Sequence, residues 1–141
     1  MNYQYSATEN LLKTRYFQAQ SKMTDINSLI DKVVFSEDGK KLGYITEVIM
    51  DITAGKIAYA VMDVALDQNI SDRLFALPWD ALVFNLEKDR FILNVTSKRF
   101  YLAPNFKSQN WPDMADEQWA DTIHSFYGTF FKRSSNIHSA M

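Results

Sequence analysis

Residues 42–64 constrain the fold more than any other stretch of this chain. Leu42-Gly43-Tyr44-Ile45-Thr46-Glu47-Val48-Ile49-Met50-Asp51-Ile52 alternates in the period of a half-buried strand. Tyr44, Val48, Met50 and Ile52 are expected on one face and Glu47 and Asp51 on the other. Thr53-Ala54-Gly55 then reads as a tight hairpin loop with a late glycine. The returning run Lys56 to Val64 is apolar on both faces until Asp63, so it is expected at the centre of a sheet or covered on both sides. A long β-hairpin of this kind needs further strands to bury it.

The neighbouring sequence supplies them. Lys32-Val33-Val34-Phe35 is a short β-branched and aromatic run, followed by the turn Glu37-Asp38-Gly39-Lys40. Arg73 to Trp79 reads as a strand with Phe75, Leu77 and Trp79 on one face, and Phe75 and Trp79 are expected in the core. Pro78 cannot donate to a ladder and marks an edge or an end. Leu82–Leu86 and Arg90–Val95 read as a second hairpin around Glu87-Lys88-Asp89. Short strands at this spacing predict a small barrel or sandwich.

After Thr96 the period changes. Ser97 is the expected cap of a short helical turn through Phe100 and Leu102, stopped by Pro104. A better helix follows Trp111-Pro112-Asp113. Asp113 or Asp116 can cap it, Trp119, Ile123, Phe126 and Tyr127 form one apolar stripe, and Gly128 is a natural stop. The expected organisation is a loose arm over 1–23, a β-barrel domain over 24–104, a helical extension over 105–131 and a frayed tail over 132–141. Leu12, Tyr16 and Ala19 mark a weak helical stripe within the arm.

Composition narrows the function. At 141 residues and 47% hydrophobic content the chain suits one globular domain, and ten Phe, seven Tyr and three Trp can fill a small core. The lack of Cys excludes disulfides, thiolate metal sites and thiol nucleophiles. A net charge of −2 argues against nucleic-acid binding driven by charge. The apolar runs are too short to span a membrane, Met1 to Gln20 carries no signal core, and a cytoplasmic location is expected.

His124 and His138 are the available imidazoles. His124 is read as structural and His138 as part of the tail, so no catalytic, cofactor-binding or metal-binding residue is assigned and the chain is not expected to be an enzyme. The acidic groups Glu37/Asp38, Glu87/Asp89 and Asp113/Asp116/Glu117 fall in turns or at a helix start, where they serve local hydrogen bonding. Asn69-Ile70-Ser71 and Asn94-Val95-Thr96 match the glycosylation triplet by chance. Lys98, Arg99, Lys107 and Lys132-Arg133, near Phe100, Tyr101 and Phe106, are read as a solvated turn with its rings in the core.

Taken in order, several of these motifs resemble the PRC-barrel family. They are Leu29-Ile30-Asp31-Lys32-Val33, Asp38-Gly39-Lys40-Lys41-Leu42-Gly43, Val48-Ile49-Met50-Asp51, Gly55 to Val61, and Asp72 to Trp79. The likeness spans roughly residues 26–104. The Trp111-Pro112-Asp113-Met114 stretch and the Tyr127-Gly128 pair resemble a stand-alone bacterial version. Loop 65–71, Ala65 to Ser71, departs from the pattern, since it lacks glycine where relatives often carry a Gly-rich loop. The resemblance implies a mainly β fold, a small closed or partly open β-barrel of about six strands, joined here to the C-terminal α-helix. It also implies docking work. One branch forms the cytoplasmic domain of the photosynthetic reaction-centre H subunit, and another belongs to a ribosome-maturation factor that binds a ribosomal protein. No catalytic set comes with the family.

A non-catalytic protein-binding or assembly module is therefore expected, with an unidentified protein partner. The alternative is an RNA- or ribosome-associated processing factor. Trp111, Trp119, Ile123, Phe126, Tyr127 and Phe130 are the candidate interaction surface, extended by Phe131. A homodimer is expected, with the segment 111–131 forming or flanking the contact.

Overall fold

The computed structural model describes residues 23–64 and 72–130. The arm expected over 1–23 lies outside the described residues except for Met23, and loop 65–71, Phe131 and the tail over 132–141 lie outside them entirely.

Seven strands form one mixed sheet. They are β1 (Val33–Phe35), β2 (Lys41–Asp51), β3 (Lys56–Asp63), β4 (Arg73–Pro78), β5 (Leu82–Asn85), β6 (Arg90–Leu93) and β7 (Phe106–Lys107). Their order across the sheet is β5-β6-β1-β2-β3-β4-β7. β1 and β6 run parallel and the other neighbours antiparallel. The strand beyond the expected six is β7. It pairs Phe106 with Leu74 and Lys107 with Arg73, so the sheet continues into the segment read as a helical extension.

The central strands follow from their composition. Tyr59 to Met62 on β3 and Leu74 to Leu77 on β4 are buried without interruption, because β3 lies between two strands and both faces are covered. The hairpin closes with the Gly55 N–H donating to the Asp51 carbonyl and the Ala54 N–H to Asp51 Oδ1. Gly43 is required where β2 crosses the end of β3, since a Cβ there would sit 2.0 Å from the Asp63 carbonyl oxygen.

β2 departs from its expected single face. The register jumps from Ile45↔Met62 to Glu47↔Val61, leaving Thr46 as an extra residue, and again between Ile49↔Tyr59 and Met50↔Ile57, leaving Ala58 extra on β3. The bulge at Thr46 shifts the alternation along β2, and the one at Ala58 shifts it along β3. Ile45, ahead of the first bulge, is fully buried; Met50, expected on one face with Tyr44 and Val48, is exposed, and Ile52 is exposed in the turn past the end of β2. Phe75 is buried as expected, but β4 ends at Pro78 and Trp79 opens a 3-10 turn, Trp79–Ala81. Trp79 is consequently half-buried, its edge against Phe91 at 5.7 Å.

Two helices complete the fold, α1 (Ser97–Phe100) and α2 (Glu117–Tyr127). Thr96, not Ser97, caps α1 by accepting from the Arg99 N–H at 3.2 Å. Ser97 instead donates its N–H and hydroxyl to the two oxygens of Asp38, at 2.8 and 2.7 Å. The hydroxyls of Ser36 and Ser97 hold the Asp38 carboxyl well below the usual range and clasp the β1–β2 turn to α1. Asp116 caps α2 by accepting from the Trp119 N–H at 3.1 Å, while Asp113 closes its own turn on Ala115. Gly128 ends α2 at φ 69°, a left-handed cap. α2 packs across β4 and buries Ala120, Ile123 and Tyr127.

Candidate functional site

α2 has two faces, and the six residues expected to form one interaction surface divide between them. Ile123 and Tyr127 are 2% and 3% exposed and belong to the core, so neither presents a surface to a partner. The apolar stripe that identified the helix is the stripe by which it docks on its own sheet. Trp119 is half-buried, edge-on to Tyr59 at 5.2 Å. Phe126 is half-buried and T-shaped against Tyr127 at 4.9 Å. Trp111 leans on Phe106 at 5.1 Å and stays 38% exposed, and Phe130 lies exposed past the end of α2.

A second group of apolar residues lies beside Phe126. α1 is a single turn, so it can direct one ring inward. Phe100 goes into the core at 4.6 Å from Phe75, and the next two residues face out. Tyr101 and Leu102 are 87% and 79% exposed, which corrects the expectation that the Tyr101 ring lies in the core. An open groove runs between this link and α2, lined by Leu102, Pro104, Asp121, Thr122, Ser125 and Phe126. Arg99 braces it, with its guanidinium over the Phe126 ring at 4.1 Å and donating to the Phe126 carbonyl. Arg73 bonds Asn105 at 2.6 Å and Asn105 bonds the Ala103 carbonyl, which fixes the link that carries Leu102 and Pro104.

Tyr101, Leu102 and Pro104 were missed by sequence reasoning because they carry no periodic signal. The available clue was length: one helical turn before a proline cannot bury three consecutive large side chains.

His124 sits on the inner side of α2. Its Nε2 lies 3.1 Å from the Tyr59 hydroxyl and its Nδ1 2.7 Å from that of Thr129. Burial lowers its pKa below the ordinary 6.5, opposed by the carboxylates of Asp80 and Asp121. Among the described residues no three His, Asp or Glu side chains gather as a metal site, and no helix is long and apolar enough to cross a membrane. Asn94 of the second glycosylation triplet uses its amide on the Tyr127 carbonyl at 2.9 Å. The groove offers apolar surface, two hydroxyls and one carboxylate, a lining suited to a protein surface. A nucleic-acid backbone would meet Asp121 there, and Arg99 is already engaged.

Residues 22–100 match the model of the PRC-barrel domain, more than half of the chain. No curated protein matches. The match ends at Phe100, so the groove and α2 lie just beyond it.

Proposed function

This chain belongs to the PRC-barrel domain family, and on that premise we propose that it is a non-catalytic protein-binding and assembly module that pairs with a second copy of itself through the groove face beside α2. The observation that carries the reading is the exposure of the consecutive residues Tyr101 and Leu102, with Leu102 lining an open groove together with Pro104 and Phe126. Neighbouring exposed apolar side chains on a well-packed domain mark an interface. The groove is open, which suits a protein surface better than an enclosed small molecule. A second copy is the commonest partner for such a face.

The test is light scattering or sedimentation on the full chain at micromolar concentration. The wild type should run as a dimer and Leu102→Asp as a monomer. A monomeric wild type, or a dimer indifferent to Leu102→Asp, overturns the reading. So does salt-sensitive binding to ribosomal particles that survives Leu102→Asp, which would favour an RNA-linked role.

A further inference from the structure

Two charged side chains stand on opposite sides of the groove. Lys98 lies on α1, three and four residues ahead of Tyr101 and Leu102, so it shares their outward side of the turn, and all three are exposed. Asp121 is exposed on α2 and lines the groove from the helix side. Among the described residues neither Lys98 nor Asp121 enters an ion pair, whereas Lys32 and Asp89 close one elsewhere at 2.7 Å. Arg99, next to Lys98, is committed to the ring and the carbonyl of Phe126. The groove face therefore presents an ammonium on the side of α1 and a carboxylate on the side of α2.

On the premise that two copies pair through this face, we propose that Lys98 of each copy meets Asp121 of the partner subunit, and that these two ion pairs set the register of the dimer. In a two-fold contact, a residue that reaches a second one across the axis is reached in the same way by the first. The exposed shelf of Tyr101 and Leu102 is the part of each copy that enters the other's groove. It carries Lys98 toward the α2 of the partner subunit, the side on which Asp121 lines that groove. The reciprocal pair follows by symmetry.

Self-pairing of this chain calls for such a device. The chain carries a net charge of −2, so two copies repel each other at long range. Burial of Leu102, Pro104 and Phe126 attracts but is non-directional, and it selects no orientation. Opposite charges at the edge of the contact select one, and like charges there reject the alternatives. Both groups are in water and open to screening by salt, so the pairs govern register more than they add affinity. Reversing one of the two charges places two like-charge contacts in every homodimer, because symmetry repeats the change.

Sedimentation of the full chain at low ionic strength tests the pairing through two variants and their mixture. Lys98→Glu alone and Asp121→Lys alone should each raise the dimer dissociation constant about tenfold or more. An equimolar mixture of the two should recover pairing to within about threefold of the wild type, because a heterodimer of one chain of each kind has opposite charges at both contacts. Added salt should narrow the gap between each single variant and the wild type. Both positions are exposed, so melts of the dissociated subunits should match the wild type and exclude misfolding as the cause. A mixture that pairs as weakly as its components overturns the register. So does a wild-type dimer that Leu102→Asp breaks and both charge reversals leave unchanged, a result that keeps the self-pairing itself intact. A monomeric wild type overturns the self-pairing and the register with it.

Discussion

The inner face of α2 and the shelf at Tyr101 and Leu102 are built from the same kinds of side chain and come to opposite ends. Ile123 and Tyr127 are 2% and 3% exposed, while Tyr101 and Leu102 are 87% and 79% exposed. Element length decides the difference. Eleven helical residues can lay Ala120, Ile123 and Tyr127 along β4, because positions three and four apart share a face. The single turn of α1 sends Phe100 inward and leaves its successors outside. Fully burying a large apolar side chain is worth about 1.5–3 kcal/mol. The inner face collects that stabilisation on folding, and the shelf forgoes it within the single subunit. Phe126 sits between the two, half-buried under the Arg99 guanidinium.

The largest effect that sharpens this contrast is Ile123→Ala. It empties a packed position between α2 and the sheet, and truncation of a buried Ile costs about 2–5 kcal/mol. Denaturant melts check it, and a loss of under about 1 kcal/mol would place α2 outside the cooperative core. Next comes Asp116→Ala. It removes the acceptor for the Trp119 N–H and should cost about 1 kcal/mol, the usual worth of an N-cap. If Asp116→Ala cost as much as Ile123→Ala, the cap and not the apolar face would be seating the helix.

The part of this architecture legible in the sequence was the part governed by an uninterrupted period. β3 read as a run covered on both faces because every residue from Tyr59 to Met62 is apolar, and β4 read as a strand with Phe75 and Leu77 on one face, while the structure buries Leu74 and Ala76 as well. α2 read correctly as a helix from its stripe, from Asp113 or Asp116 as cap, of which the structure uses Asp116, and from Gly128. β2 read correctly as a strand but its faces did not, because the extra residue Thr46 shifts the alternation midway and no local residue announces a bulge. β7 was illegible since two residues carry no period. The candidate site suffered from a different confusion. An apolar stripe is the signature of burial, so choosing the interaction surface by that stripe selected Ile123 and Tyr127, the two most deeply buried of the six.

Leu102→Asp probes the other side of the comparison at smaller cost. The side chain is already in water, so the change should stay within about ±0.5 kcal/mol for the isolated subunit. Melts must be made at protein concentrations low enough to dissociate the wild type, since pairing adds concentration-dependent stability. Lost association with unchanged subunit stability is the expected pair of results. A loss above about 1 kcal/mol would mean that Leu102 supports the fold itself.

The smallest expected effect comes from Tyr127→Phe, and its sign is informative. Among the described residues the Tyr127 hydroxyl is buried without a hydrogen-bond partner. Burial also drives its pKa strongly upward, as expected for a phenol whose ionised form cannot be solvated. In an ordinary core a Tyr→Phe change forfeits a hydrogen bond worth about 0.5–1.5 kcal/mol. Here no bond is lost, and a buried unpartnered oxygen is removed. The ring keeps its place against Phe126, and the bond from Asn94 runs to the Tyr127 main-chain carbonyl, which the substitution leaves intact. Stability should therefore stay level or rise by up to about 1 kcal/mol. Asn94→Ala breaks that main-chain bond and should destabilise by about 0.5–1.5 kcal/mol, which provides the opposing control. If Tyr127→Phe instead cost as much as Asn94→Ala, the hydroxyl would be bonded, and a polar contact would join the apolar face in holding α2. If it is level or stabilising, the hold of Tyr127 on the sheet is that of its ring alone.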